Sequence, residues 1–109
     1  MIQRLEQALD ALSRRQKVVA NNLSNVNTPE FTRRDVDFFG YMQGLFADRE
    51  LPLEVKEDTQ SAARADGNNV TLEREMFALT QTEMMYQTVS RFTTDRLRSV
   101  AYAITEGRG

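Results

Sequence analysis

Arg33, Arg34, Asp35 and Asp37, four charged side chains within five residues, are the grouping in this chain best equipped for chemistry. Two carboxylates two residues apart, flanked by guanidiniums, have the residue types of a metal site or a general acid/base pair. Neither reading goes far. A metal centre needs further ligands, and the sequence contains no histidine and no cysteine. Without histidine the commonest general base is missing. Without cysteine there is no thiolate nucleophile, no thiolate zinc site and no disulfide. The sequence therefore nominates no catalytic, cofactor-binding or metal-binding residue. A solvated or salt-bridged turn is the plainer reading of residues 33–37, and charge pairing between subunits is the functional one. Exposed pairs contribute only about 0–1 kcal/mol each. Met76, Met84 and Met85 suit a core or an adaptable interface rather than a cofactor box.

Two long helices must position these groups. Ile2, Leu5, Leu9, Leu12, Gln16, Val19, Leu23 and Val26 alternate spacings of three and four, the a/d seam of a heptad repeat with one polar member. The pattern predicts a helix over residues 2–27, stopped by Pro29 and capped by Asn27. Near the other end, Leu72, Met76, Leu79, Tyr86, Leu97, Val100 and Ile104 share one heptad frame, interrupted by Glu83, Ser90 and Thr93. Met85, Val89 and Phe92 form a second stripe. The turn cluster Asp66-Gly67-Asn68-Asn69, Thr71 as N-cap and Glu73 and Glu75 in the first turn mark the start of this helix, and Gly107 marks its end. The expected core is Leu5, Leu9, Leu12, Val19 and Leu23 against Leu72, Met76, Leu79, Tyr86, Leu97 and Val100. The fold class is mainly α: one domain, an antiparallel coiled-coil-like pair over 1–27 and 70–106 with an irregular segment over 28–69.

That middle segment holds both prolines and three of the five glycines. Phe38, Phe39, Tyr41, Met42, Leu45 and Phe46 suggest one short helix broken by Gly40 and Gly44. Leu53-Glu54-Val55-Lys56 alternates like a short strand, and residues 61–67 read as a mobile loop. Two helices burying one stripe each do not offset an ordering cost of about 1–2 kcal/mol per residue. Either neighbouring molecules complete the fold, which leaves the free chain partly ordered, or the Phe-rich middle closes a three-element core.

The bulk numbers narrow the function. With 109 residues there is room for one small domain. A formal net charge of −2 offers no general attraction for nucleic acid or anionic lipid. No apolar run approaches the roughly 20 residues that cross a bilayer, and the N-terminus lacks the apolar core of a secretory signal. Composition alone points to the cytoplasm. Asn21, Asn22, Asn25 and Asn27 crowd the end of the first helix, although asparagine competes there for the backbone's own hydrogen bonds. They are either a fraying, solvated helix end or amides that bond neighbouring subunits.

A resemblance favours the second reading. Asn27-Thr28-Pro29, the aromatic Phe31 and the run Arg34-Asp35-Val36-Asp37-Phe38 resemble the N-terminal signature of bacterial flagellar rod and hook proteins. Asp66-Gly67-Asn68-Asn69-Val70, then Glu73-Arg74-Glu75-Met76 and Tyr86-Gln87, are similar to the C-terminal half of that family. Where the family usually carries glycine and tyrosine after the proline, this chain has Glu30 and Phe31. Glycine suits a type II turn, whereas Glu30 predicts type I. The resemblance implies a non-enzymatic axial building block without a cofactor. Its implied partners are other rod subunits, basal-body and export-gate proteins and the flagellar type III export apparatus, with no nucleic acid and no membrane insertion. The implied location is the periplasm-spanning rod of the basal body, reached without a cleaved signal peptide, with residues 2–12 as the implied export signal. Candidate subunit contacts are then Asn21, Asn22, Asn25, Asn27, Pro29, Phe31, Arg34, Asp35, Asp37 and Phe38. A soluble coiled-coil adapter or export chaperone is the alternative.

Overall fold

The computed structural model describes residues 2–49 and 52–108, with the side chains of Ile2, Gly107 and Arg108 outside the description. Helix α1 spans Ile2–Ser24, strand β1 Arg34–Val36, helix α2 Phe38–Phe46, strand β2 Val55–Glu57 and helix α3 Leu72–Arg108. The strands pair antiparallel, with Arg34 opposite Glu57, Asp35 opposite Lys56 and Val36 opposite Val55. The molecule is a narrow body of 69 × 25 × 13 Å, its length set mainly by α3, which at 1.5 Å per residue is about 55 Å long.

Helices α1 and α3 run antiparallel. Asn22 meets Glu75 and Arg15 meets Gln81, so partners have numbers that sum to about 97. On that register the start of α1 lies opposite roughly residue 95, and the last 13 or so residues of α3 extend about 20 Å beyond it. Neither helix contains proline, and α3 has no glycine before Gly107. Thr82, Thr88, Thr93, Thr94 and Thr105 each donate their hydroxyl to the carbonyl four residues back. This keeps β-branched polar residues compatible with a long helix.

A three-element core does close. Ala11, Leu12 and Phe38 are buried together, with Tyr41, Met42, Leu53, Met85 and Val89 packed around them. The Phe-rich segment therefore supplies the third wall. Helix α2 is not broken by its glycines. Asp37 caps it, accepting from the N–H of Gly40 at 3.0 Å, and a Cβ at Gly40 would lie 2.3 Å from the Asp37 carboxylate. Glycine there makes room for the cap.

Four further expectations are corrected. Helix α1 ends at Ser24 and passes through turns at residues 25–27, because the Asn25 N–H turns back to the Asn22 carbonyl at 3.1 Å in a tighter final turn. Helix α3 runs through Gly107 to Arg108. Glu30 adopts φ +62, the left-handed conformation glycine would take and not that of a type I turn. Its N–H is drawn to the carbonyl of Asp66 at 2.8 Å, and Gly67, at φ +83, packs against it. Finally, the α3 frame expected in the core faces outward. Leu72 is 50% exposed, Met76 54% and Leu97 50%, with Tyr86 and Val100 also exposed and Leu79 half-buried. The face turned to α1 is Glu75, Ala78, Thr82, Met85 and Val89, the same alternation of three and four shifted back by one residue. On α1, Leu5, Leu12 and Val19 are buried and Leu9 and Leu23 half-buried.

The Glu30–Gly67 contact predicts two effects of opposite sign. A left-handed non-glycine residue costs roughly 1–2 kcal/mol, of which glycine's extra unfolded-state freedom takes back about 0.5–1. Glu30→Gly is expected to stabilise the protein by about 0.5–1 kcal/mol in urea unfolding. Gly67→Ala is expected to destabilise it by at least about 1 kcal/mol, since its Cβ would lie 3.2 Å from the Glu30 Cα.

Candidate functional site

The residues singled out at 33–37 do not lie in a loose turn. Arg34, Asp35 and Val36 form β1, and the residue before them, Arg33, has a side chain bonded to three carboxylates. Arg33 is 2% exposed. Its Nε donates to Glu75 Oε1 at 2.5 Å, one terminal nitrogen donates to Asp58 Oδ2 at 3.0 Å, and the other reaches Asp35 Oδ2 at 3.4 Å. Glu75 is fully buried. Its other oxygen accepts from the Asn22 amide at 3.1 Å. Arg15 reaches the same group from α1, bonding Asp35 Oδ1 at 3.4 Å and Gln81 Oε1 at 3.2 Å. One cluster, a polar lock, thus ties α1, β1, the strand exit at Asp58 and the first turn of α3.

Burial alone would lower the pKa of Arg33. The hydrogen bonds to Glu75 and then to Asp58 outweigh burial and hold the guanidinium above its ordinary value. Asp58 is held well below the usual carboxylate range, first by the Ser61 hydroxyl, which donates at 2.7 Å against the cost of burial, and then by the Ser61 N–H, Arg33 and the Gln60 N–H. These bonds also order residues 58–61, so the start of the segment read as a mobile loop is tied down.

The asparagines act as substitute peptide groups. The Asn22 amide donates to the Arg34 carbonyl at 2.7 Å and accepts from the Arg34 N–H at 3.0 Å, pairing with the free edge of β1 as a neighbouring strand would. Asn68 Nδ2 donates to the carbonyls of Asn25 and Thr28 at 2.8 and 2.7 Å, while its Oδ1 accepts from the Val70 N–H. Asn69 accepts from the Arg33 N–H and donates to the Asp58 carbonyl, both at 2.7 Å. Among the described residues every buried side-chain nitrogen and oxygen has a partner.

Among the expected subunit-contact residues, two are corrected outright. Asn22 is fully buried and Phe38 is 2% exposed, the first spent on β1 and Glu75, the second on the α1–α2 core. Asp35 is half-buried and bonded to Arg15 and Arg33, and Asp37 caps α2. Asn25 donates to the Asn21 carbonyl and accepts from the Thr28 hydroxyl. Phe31 is half-buried, whereas Asn21, Asn27, Pro29 and Arg34 are exposed. Sequence reasoning missed Glu75, Arg15, Asp58, Asn68 and Asn69 as members of a shared site. The one available signal was the asparagine pair after Gly67. Among the described residues no group of carboxylates could hold a metal ion, and no helix is long and apolar enough to cross a membrane. The arrangement binds elements together and offers no unpaired nucleophile or base.

Removing one member of a buried ion pair leaves the other uncompensated, at a cost of about 3–5 kcal/mol. Glu75→Ala and Arg33→Ala are each expected to lose that much in chemical denaturation, and the double variant less than the sum, because each single change already breaks the same pair. Asp58 has a lowered folded-state pKa, so its stabilisation is present above the unfolded carboxylate value of about 4 and is lost as pH falls through the folded value. Stability is expected to decline below about pH 4, and Asp58→Asn to weaken that acid dependence while costing about 1–2 kcal/mol at pH 7.

Residues 2–32 match the model of a family described as flagella basal body rod protein. The flagellar basal body rod protein FlgB of Borrelia hermsii is 32% identical, covering 88% of this chain and 89% of its own length. FlgB of Bacillus subtilis (strain 168) is 26% identical over 98% of this chain and 95% of that protein, and FlgB of Borreliella burgdorferi 28% identical over 84% and 86%. A relative 32% identical over 88% of this chain, together with the family model over residues 2–32, shows the lineage: the chain belongs to the family of flagellar basal body rod protein FlgB.

Proposed function

We propose that the protein is a structural subunit of the flagellar basal-body rod, part of the axial shaft that carries motor torque towards hook and filament. The observation that carries this reading is the outward apolar line of α3. Leu72, Met76, Tyr86, Leu97, Val100 and Ile104 are all exposed, over about 48 Å of one helix. Glu83, Ser90 and Thr93 interrupt the line, and the apolar stretches on either side are surfaces for neighbouring helices. The polar lock holds the remaining elements rigidly enough to present them.

Its partners are copies of itself and related rod subunits along the axis, with export-gate components at the base. It reaches the periplasm through the flagellar type III export apparatus without a cleaved signal peptide. Asn21, Asn25, Asn27, Pro29, Phe31 and Arg34 cluster where α1 passes into β1, and they form a polar second contact. The half-buried Phe31 and the bonded Asn25 make it a rigid one.

Deletion of the gene is expected to abolish swimming and to leave isolated basal bodies without rods. Motile cells with normal rods would overturn the reading, and a discrete, stable dimer in solution that never polymerises would favour the adapter. Asn21→Ala with Asn25→Ala is expected to lower rod yield while leaving the unfolding free energy within about 0.5 kcal/mol of wild type; an unchanged rod yield removes these amides from the contact.

A further inference from the structure

Helix α3 carries two stripes that could face α1, and near the polar lock the one in use is the poorer in apolar surface. The inward stripe there is Glu75, Ala78 and Thr82, a carboxylate, a methyl and a hydroxyl, all buried. One residue further round lie the larger apolar side chains Leu72, Met76 and Leu79, the first two exposed and the third half-buried. Hydrophobic stabilisation is roughly proportional to the apolar area removed from water. Taken alone it favours turning α3 by one residue, about 100°, so that Leu72, Met76 and Leu79 meet α1.

The turned helix is a packed alternative. Tyr86 would replace Met85 in the stripe, and Glu83 would replace Thr82. Glu83 would have a partner there: Arg15 already reaches Gln81, next to Thr82, at 3.2 Å, and its present bond to Asp35 is 3.4 Å long. Helix pairs adjust their separation to the side chains between them, which admits the larger residues. Apolar contact is lost only further along, where Ser90 would replace Val89. What the turn sacrifices is the pair at the start of α3. Glu75 accepts from Arg33 Nε at 2.5 Å and from the Asn22 amide at 3.1 Å. Carried round with the helix, it deserts a guanidinium that is itself buried, and breaking such a pair is strongly penalised. A complete buried pair, by contrast, adds little over apolar residues of similar volume, and its best-attested use is to fix a register.

We propose that Arg33, Asn22 and Glu75 select the rotation of α3. They exclude a second packed state in which Leu72, Met76 and Leu79 lie against α1, and so keep that stripe turned outward. Arg33 and Asn22 are positioning residues, acting on the apolar line through Glu75. The inference rests on the rod-subunit reading for the use made of the outward stripe but not for its geometry.

The chain has no cysteine, so an introduced thiol reports its own exposure. Met76→Cys samples the outward stripe and Thr82→Cys the inward one. Each is placed in the full chain, with and without Arg33→Met plus Glu75→Leu, and its alkylation by iodoacetamide is timed. In the doubly apolar background Asn22 keeps both bonds to Arg34, and Asp58 keeps those from Ser61 and the Gln60 N–H. With the pair intact, Met76→Cys is expected to react at least about tenfold faster than Thr82→Cys. Without the pair, helicity is expected to persist and the order to reverse. An unreversed order, or equal rates at the two positions, would overturn the proposal and leave the pair a plain stabilising contact. If the doubly apolar variant loses helicity, Arg33→Leu with Glu75→Met takes its place. Loss of helicity there too would overturn the proposal, because no second packed state then exists. A deletion strain without rods combined with an unreversed order would retain the rod subunit and remove the selector. A reversed order combined with a motile, rod-bearing deletion strain would do the opposite.

Discussion

The rest of the fold is arranged around one buried ion pair, Arg33 with Glu75. Each charge would be costly inside the protein alone, and their mutual attraction repays that cost only when the remaining donors and acceptors are filled. Here they are: Asp58 and Asp35 take the other guanidinium nitrogens, and Asn22 donates to the second oxygen of Glu75. Because Glu75 lies in the first turn of α3, burying it fixes the rotation of the whole helix. A shift of one residue rotates a helix by about 100°, which is enough to move Leu72 and Met76 from the interior to the surface. The outward apolar line is thus a direct result of satisfying a carboxylate.

The two long helices were legible from the sequence because their periodicity, their freedom from proline and the Pro29 stop are local signals. The phase of α3 was not. Glu75 looks like a solvated carboxylate that favours the helix dipole, and nothing nearby in sequence shows that Arg33, 42 positions earlier, is its partner. Strand β1 was obscured for a similar reason. A run of Arg34 and Asp35 does not read as a strand until Lys56, Glu57 and the Asn22 amide stand beside it. Gly40 was misread as a helix breaker because the Asp37 cap it accommodates is a three-dimensional contact. Of the asparagines at the end of α1, Asn21 and Asn27 are exposed and Asn25 is half-buried, as a surface role requires. The one at the centre of the site, Asn22, turned inward.

Separation of function along the molecule follows. At the junction, polar groups are paired with one another, leaving little for a newcomer to bond. At the opposite end, Leu97, Val100 and Ile104 of α3 leave apolar surface exposed. Between them lies the compact Leu12–Phe38 core.

The composition of the interior has a thermal consequence. Among the described residues nine apolar side chains are buried, and seven polar or charged ones join them, including Arg33, Glu75 and three asparagines. Hydrating apolar surface on unfolding raises the heat capacity by about 0.45 cal/K/mol/Å², whereas hydrating polar surface lowers it by about 0.26. An interior this rich in amides and charges unfolds with a small heat-capacity change for its size. Its stability curve is correspondingly less curved, which sets cold unfolding farther below the temperature of maximum stability.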